Sequence, residues 1–325
     1  MFVMRFDMRA PSTGAPTTEL YAAAIEMTGW ADTRGALAAI VCEHHTSSDG
    51  YLPSPMILAS ALAARTTTVA ITVAAVVLPL HDPVRLAEEM IVLDIISNGR
   101  VNYVAGVGYR PEEYELYGVD FHQRGRIAEE TLPVLLRAKT GEPFEHDGRR
   151  IHVTPAPVTP GGPWVAWGGG SVAAARRAGR HGIDFFAQRG DEALGDAYAG
   201  EARAHGHEPG FCMLPPRDVT TTMFVADDLD RAWDELGPYL MHDVVTYAAW
   251  NPGDTTTSSL SSATTAEELR AQDTTHRIVT VEEAVTIARA GMPLQLQPLV
   301  GGLPPDVAWR YLRTVAEEVV PALPT

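Results

Sequence analysis

Two adjacent histidines stand where acid–base chemistry could occur. The apolar run Leu37–Cys42 is followed directly by Glu43, His44 and His45. Imidazole titrates near neutral pH, so a positioned histidine can accept a proton during a reaction. Side chains alternate between the faces of a strand, so we expect at most one ring to face a site. A structural histidine paired with a carboxylate is the alternative. No metal site is expected, because adjacent histidines diverge and no third ligand stands at a familiar spacing.

A second candidate is the glycine run Gly168–Gly170, followed by Ser171. Glycines let the main chain approach a phosphate closely, and Ser171 can cap the next helix, whose first N–H groups form an anion site. Arg176 and Arg177 lie further along that helix and could add positive charge. The run has neither the lysine of a P-loop nor the spacing of a dinucleotide-binding motif. An ordinary strand-to-helix turn is therefore the alternative to a phosphate site.

A third candidate is Gly106-Val107-Gly108, where a predicted strand ends with almost no side-chain bulk. A flat ring system could lie against such a surface, because glycine lets a ligand come close to the backbone. The alternative is a tight turn into the helix that begins at Arg110-Pro111.

Short apolar runs alternate with longer amphipathic stretches, which predicts a parallel sheet joined by crossover helices. Eight such units favour a closed (β/α)8 TIM barrel, and an open doubly wound sheet is the alternative. Functional residues of a barrel gather at the carboxyl ends of its strands, where all three candidates stand. The predicted strands are Phe2–Met8, Leu37–Cys42, Thr68–Leu78, Val101–Val107, Trp164–Trp167, Ile183–Ala187, Val219–Val225 and Leu294–Val300.

Helix caps are predicted at Thr17 or Thr18, at Ser54 and at Asp82, each at the start of an amphipathic stretch. Two segments fit neither strands nor helices. The proline-rich segment Glu142–Gly162 is predicted to be an extended insertion before the fifth strand. The Thr- and Ser-rich insert Asn251–Thr275 precedes the last strand, and it is either a lid over the catalytic face or a mobile surface loop.

Composition excludes several classes of protein. The 325 residues include 41 acidic and 25 basic side chains, a net charge of −16, so no general attraction to nucleic acid or to an anionic membrane is expected. Two cysteines are too few for a disulfide scaffold. The longest nearly apolar run, Val69–Leu80, is short of the roughly 20 residues that cross a bilayer. With no signal-peptide pattern, a cytoplasmic protein with one domain over residues 1–325 is expected.

Taken together, the motifs resemble the bacterial luciferase-like monooxygenase family. The resemblance covers most of the chain and is strongest between residues 40 and 190. It is carried by Glu43-His44-His45, Leu78–Pro83, Ala87-Glu88-Glu89, Leu93–Arg100, Gly106–Arg110, Glu113, Gly118–Phe121, Arg124, Glu130, Pro163–Ser171 and Ala174–Ala178.

The resemblance implies a (β/α)8 barrel with insertions, a homodimer, and reduced FMN or the deazaflavin coenzyme F-420 bound at the carboxyl ends of the strands. It implies that His44 is a catalytic base, and that Ala74-Ala75 carries a bulge or a cis peptide bond behind the flavin ring. The cofactor-binding residues it implies are Ala74, Ala75, Gly106, Gly108, Gly168, Gly169, Gly170 and Ser171.

One departure from the family pattern affects function. Luciferase has a Cys-Arg pair on the fourth strand beside the flavin and its phosphate, and this chain has Gly106-Val107 there. Light emission is therefore not expected, and the phosphate would depend on Gly169, Gly170 and Ser171.

Three functional hypotheses follow. The first is a monooxygenase that uses O2 and reduced FMN from a separate reductase to oxidise a small organic substrate. The second is a hydride-transfer oxidoreductase that uses coenzyme F-420. The third is a flavin-binding protein without turnover.

Overall fold

The computed structural model describes residues 1–323 and contains one sheet of ten parallel strands and a separate antiparallel hairpin. The strands are β1 (Phe2–Phe6), β2 (Ala36–Val41), β3 (Ala70–Val77), β4 (Val101–Gly106), β5 (Phe144–His146), β6 (Arg149–Ile151), β7 (Trp164–Gly169), β8 (Phe185–Ala187), β9 (Cys212–Met213), β10 (Thr222–Val225), β11 (His276–Val279) and β12 (Leu294–Leu296). The helices are α1 (Thr17–Ala31), α2 (Pro55–Arg65), α3 (Pro83–Ser97), α4 (Pro111–Tyr117), α5 (Arg124–Ala138), α6 (Val172–Arg180), α7 (Glu192–Ala204), α8 (Leu229–Trp250), α9 (Ala266–Gln272), α10 (Val281–Arg289) and α11 (Pro305–Thr314).

The strand order is β11-β10-β12-β1-β2-β3-β4-β7-β8-β9, which confirms the predicted parallel α/β architecture of the (β/α)8 type. All eight predicted strands are present. The short strands β9 and β11 are additional, and they lie at the two ends of this order. Within residues 1–323 no ladder joins these two strands, so hydrogen bonds do not close the ring between them.

Helix caps agree with the predictions in part. Asp82 accepts hydrogen bonds from the amides of Val84 and Arg85, and Asn98 ends the same helix in the left-handed conformation. Ser54 occupies the predicted cap position but makes no cap hydrogen bond. The prediction for α1 is wrong: Thr17 is already helical, so Pro16, which has no side-chain acceptor, takes the cap position.

Both irregular segments contain short elements that the sequence patterns did not reveal. The hairpin β5–β6 lies in the segment Glu142–Gly162, whose end is tied to α3 because the buried carboxylate of Asp94 accepts hydrogen bonds from the amides of Val158 and Thr159 at 2.8 and 2.9 Å. Helix α9 lies in the insert Asn251–Thr275. No helix in the described part of the chain is long and apolar enough to cross a membrane.

The side chains of β1 show how the sheet separates apolar from polar groups. Phe2, Met4 and Phe6 are fully buried in the hydrophobic core. Arg5 alternates with them and donates a hydrogen bond to Gln297, which also donates to Asp7 at 2.7 Å. One face of β1 therefore packs in the core, and the other contributes to a buried polar network.

Candidate functional site

Four neighbouring strands, β2, β3, β4 and β7, bring the predicted site residues to one edge of the sheet. Because these strands are parallel neighbours, their carboxyl ends lie side by side. The predicted residues at this edge are His44 after β2, Ala74 and Ala75 in β3, Gly106 and Gly108 at the end of β4, and Gly168, Gly169, Gly170 and Ser171 at the end of β7.

His44 forms a buried pair with Glu113 from α4. Its Nδ1 lies 2.7 Å from Glu113 Oε1, which also accepts hydrogen bonds from the amide of His45 at 3.0 Å and from Arg110 at 3.3 Å. Burial lowers the pKa of His44, although its hydrogen bond to Glu113 acts in the opposite direction. The ring is therefore neutral near pH 7. With its Nδ1–H donated to Glu113, it presents an unprotonated Nε2.

Aromatic rings surround the free nitrogen of His44. The hydroxyl of Tyr109 lies 3.3 Å from Nε2. The ring centroids of Tyr51 and Trp250 lie 4.7 and 4.8 Å from that of His44, and Tyr247 lies at 6.4 Å. The aromatic side chains therefore shield the imidazole from water.

The second histidine points elsewhere, as strand alternation predicts. His45 Nε2 lies 2.9 Å from Glu43 Oε1, and His81 Nε2 lies 2.8 Å from the same oxygen. Burial favours a higher pKa for Glu43, but the hydrogen bonds from both histidines and from the amide of Val77 outweigh it and lower the pKa to about 2. Glu43 is thus an anionic anchor for two imidazoles. In residues 1–323, no three His, Cys, Asp or Glu side chains are arranged to hold a metal ion.

Gly106, in β4 between β3 and β7, is buried and has only small groups beside it. A Cβ built on Gly106 would lie 3.5 Å from the carbonyl oxygen of Gly168 and 3.7 Å from the Cβ of Ala75, and no other atom of the described chain lies within 4 Å. The Ala74–Ala75 peptide bond is cis, and the register of β3 against β4 shifts there. The cis bond and bulge implied by the family resemblance are thus confirmed. Gly106 and its small neighbours, the main chain of Gly168 and the methyl group of Ala75, suit a flat ring system.

Gly108 has a different structural role. Its φ is +66°, and a Cβ there would lie 2.9 Å from Val77 Cγ1. The turn after β4 therefore needs glycine for its backbone conformation and for close packing. This observation favours the tight-turn interpretation at Gly108. A ring system would therefore lie against Gly106 and not against Gly108.

The glycine run at the end of β7 leads directly into α6. Ser171 Oγ accepts a hydrogen bond from the amide of Ala174 at 3.2 Å, which confirms the cap. A Cβ on Gly169 would lie 2.6 Å from the Cβ of Ala174, so close strand-to-helix packing requires glycine there. Gly168–Gly170 are half-exposed, and their main chain remains accessible to an anion at the start of α6.

The sequence suggested that the two arginines of α6 add positive charge at the glycine run, but both pair with other groups. Arg177 is buried and donates hydrogen bonds to Glu129 at 2.9 Å and to the carbonyl of Gly125 at 3.1 Å. Arg176 is exposed and pairs with Glu201 at 4.0 Å. An anion at this helix start would therefore depend on main-chain N–H groups and Ser171.

The insert Asn251–Thr275 contacts the loop after β8. The amide of Ser258 donates to the carbonyl of Gln188 at 3.0 Å, and the amide of Gln188 donates to the carbonyl of Gly169 at 3.3 Å. The insert thus extends from Trp250, beside His44, to a loop beside the glycine run. The prediction that it is a lid stays a prediction.

A buried ionic cluster behind His44 was missed by the sequence analysis. Arg9 donates to Asp49 at 2.6 Å, and its guanidinium lies 4.7 Å from the ring centroid of Tyr51. Burial raises the pKa of Asp7 to about 6, although Arg9 acts against that change. Asp7 and Arg9 follow β1, so the rule that strand ends carry function could have identified them.

The chain is similar to known proteins in sequence and in fold. A family model described as luciferase-like monooxygenase matches residues 3–294. The oxygenase component of flavin-dependent trigonelline monooxygenase from Acinetobacter baylyi is 32% identical over 176 residues, which cover 50% of this chain and 49% of that protein. The chain spans about half or less of the length of the curated relatives it matches.

Two solved structures share the fold over nearly the whole chain. Monooxygenase RslO1 from Streptomyces bottropensis is 20% identical, with a TM-score of 0.76 and 99% of each chain covered. The oxygenating constituent of 3,6-diketocamphane monooxygenase from Pseudomonas putida, determined in complex with FMN, is 19% identical. Its TM-score is 0.71, with 100% of this chain and 99% of that chain covered. At this identity the likeness shows the fold alone.

Proposed function

Because this chain belongs to the luciferase-like monooxygenase family, we propose that it is an oxygenase that uses reduced FMN and O2 to oxidise a small organic substrate. The observation that carries the proposal is a juxtaposition at one edge of the sheet. Gly106 ends β4, which adjoins β3 with Ala74 and Ala75, and β3 adjoins β2, which is followed by His44 in its pair with Glu113.

The residues present fit an FMN molecule. The ring would lie against Ala74, Ala75 and Gly106, whose own side chains are small or absent. The phosphate would meet main-chain N–H groups at Gly169, Gly170 and Ser171, at the start of α6. When bound in its reduced form, FMN supplies the two electrons that allow one oxygen atom of O2 to enter the substrate and the other to leave as water.

His44 has the geometry of a general base. Its Nε2 can accept a proton from a substrate or a reacting group, and Glu113 then stabilises the imidazolium. Because Glu113 is fully buried and accepts three hydrogen bonds at Oε1, it holds the imidazole in one orientation and one tautomer.

Two partners belong to the proposal. A separate flavin reductase would supply reduced FMN, in line with the relative named as an oxygenase component. A second copy of the chain would cover α2 and α3, where Ile57 is 74% exposed and Val92 is 46% exposed at a surface cavity of about 520 Å³. Exposed apolar side chains around a cavity are typical of a protein interface.

Equilibrium titration with four ligands tests the proposal. The purified chain is titrated with oxidised FMN, reduced FMN under anaerobic conditions, riboflavin and coenzyme F-420, and binding is followed by fluorescence. We expect reduced FMN to bind most tightly and riboflavin to bind more weakly than oxidised FMN, because riboflavin lacks the phosphate. A preference for coenzyme F-420 would favour the hydride-transfer hypothesis. Tight flavin binding without substrate-dependent oxygen consumption would favour a non-catalytic role.

A further inference from the structure

Trp250 contacts two arginines at the centre of the site. It is the last residue of α8 and leads directly into the insert Asn251–Thr275. Its ring centroid lies 4.1 Å from the guanidinium carbon of Arg110 and 4.6 Å from that of Arg9. The ring centroid of His44 lies 4.8 Å away. A flat aromatic ring is therefore held beside the base by two cations.

Both arginines retain buried donors without an acceptor. Arg9 uses Nη1 on Asp49, and Arg110 uses Nη1 on the carbonyl of His45 at 2.6 Å. Nε and Nη2 of Arg9 and Nε of Arg110 have no hydrogen-bond partner among residues 1–323. Nε of Arg9 lies 3.4 Å from Asp7 and 3.8 Å from Asp243, within ion-pair range of both carboxylates. The donors left for a ligand are therefore Nη2 of Arg9 and Nε of Arg110. Buried donors of this kind are satisfied when an oxygen acceptor arrives.

We propose that Trp250 fills the substrate subsite, and that this subsite takes a planar aromatic compound carrying an oxygen acceptor. The acceptor is a carboxylate, phenolate or carbonyl oxygen. The inference rests on the proposed function, and it names the substrate class of the same site. A ligand that replaces the indole must be flat and electron-rich to pack against two guanidinium groups. Its affinity increases further if its oxygen accepts hydrogen bonds from the unpartnered N–H groups of Arg9 and Arg110.

The subsite also places the ligand next to the proton acceptor. Nε2 of His44 faces Tyr109, whose hydroxyl is its neighbour at 3.3 Å. An aromatic ring at the position of Trp250 would lie as close to the imidazole as the indole does now. Since Trp250 is continuous with the insert, movement of the insert would vacate the subsite.

Calorimetric titration with three probes of similar ring size tests the inference. The probes are 2-naphthoate, which carries a carboxylate; naphthalene-2-carboxamide, which carries a neutral carbonyl; and indole, which has no oxygen acceptor. We expect Trp250→Ala to bind at least one oxygen-bearing probe about tenfold or more tightly than the unaltered protein, because the competing indole is gone. That probe should bind more tightly than indole, and Arg110→Lys should reduce the preference, because it removes one planar N–H donor while those of Arg9 remain.

Two further tryptophan variants serve as controls. Trp309→Ala removes another tryptophan in contact with an arginine, Arg313 at 5.6 Å, and should leave all three affinities unchanged. Trp250→Phe keeps an aromatic ring and should give an intermediate gain, which serves if the alanine variant does not fold. The two oxygen-bearing probes distinguish an anionic from a neutral acceptor.

Two results would overturn the inference: no gain in affinity in either Trp250 variant, or indole binding as tightly as both oxygen-bearing probes. These titrations contain no flavin. A failure here therefore bears on the subsite alone, whereas failure to bind FMN bears on the proposed function.

Discussion

The imidazole of His44 and the carboxylate of Glu113 form a hydrogen bond of 2.7 Å between residues 69 positions apart in the sequence. One comes from the loop after β2 and the other from α4, after β4. Glu113 is fully buried, and its Oε1 accepts hydrogen bonds from His44, Arg110 and the amide of His45. This arrangement holds the imidazole of His44 in one orientation.

Replacement of His44 with alanine should greatly slow turnover. General-base catalysis by a positioned side chain contributes roughly 10²–10⁴-fold, so we expect a loss in that range in kcat for substrate-dependent oxygen consumption with a flavin reductase. The affinity for FMN should change little, because the ring surface at Gly106 is built from other residues. Turnover equal to that of the unaltered enzyme would remove His44 from the mechanism.

Glu113→Gln should lower the pKa of His44 further. Burial already lowers this pKa, and the carboxylate of Glu113 opposes burial, so its removal leaves burial less opposed. The measurement is the pH dependence of the His44 ring signals by NMR in both proteins. A pKa that stays constant or rises in the variant would show that Glu113 does not act on His44 through its charge.

The residues at the strand ends could be predicted from the sequence. Glu113 and Trp250, which contact His44 from α4 and α8, could not. Leu37–Cys42 and the glycine runs signal buried strands that end in polar or bare residues, and parallel strands bring such ends together. Glu113 and Trp250 carry no local signal of their role, because helical propensity and apolar character describe many surface and core positions equally well. Their place depends on where α4 and α8 pack, which is a tertiary property. Arg177 shows the converse: its spacing suggested an anion site, yet packing against Glu129 directs it away.

Asp7→Asn should change stability in a manner that depends on pH. Burial raises the pKa of Asp7 to about 6 from 3.8, so the folded state holds this proton more tightly than the unfolded state does. The stabilising effect of that proton is complete below pH 3.8 and is lost as the pH rises to about 6. The free energy of unfolding of the variant, relative to the unaltered protein, should therefore rise between pH 4 and pH 6 and stay level above. Urea unfolding across this range measures it, and a constant difference would contradict the prediction.

Gly106→Leu should fill the proposed ring surface. A Cβ at Gly106 fits at ordinary van der Waals distances, so the fold should persist, while the rest of the side chain would occupy space needed by a flavin ring. We expect the affinity for FMN to fall by about tenfold or more, since every 1.4 kcal/mol lost is tenfold. The matched control is Gly200→Leu on the exposed face of α7, where a Cβ would meet no atom within 4 Å in the described chain. Unchanged FMN affinity in the Gly106 variant would place the ring elsewhere.

Ser171→Ala should separate the structural effect of a helix cap from its effect on phosphate binding. Loss of a cap costs about 1 kcal/mol of stability, and Asp82→Ala removes a comparable cap from α3, on which no cofactor is expected. Both variants should therefore lose stability in thermal unfolding. Only Ser171→Ala should reduce the ratio of FMN affinity to riboflavin affinity, because riboflavin has the same ring system without the phosphate. If the two variants show the same ratio as the unaltered protein, Ser171 is a cap alone, and its hydroxyl does not bind the phosphate.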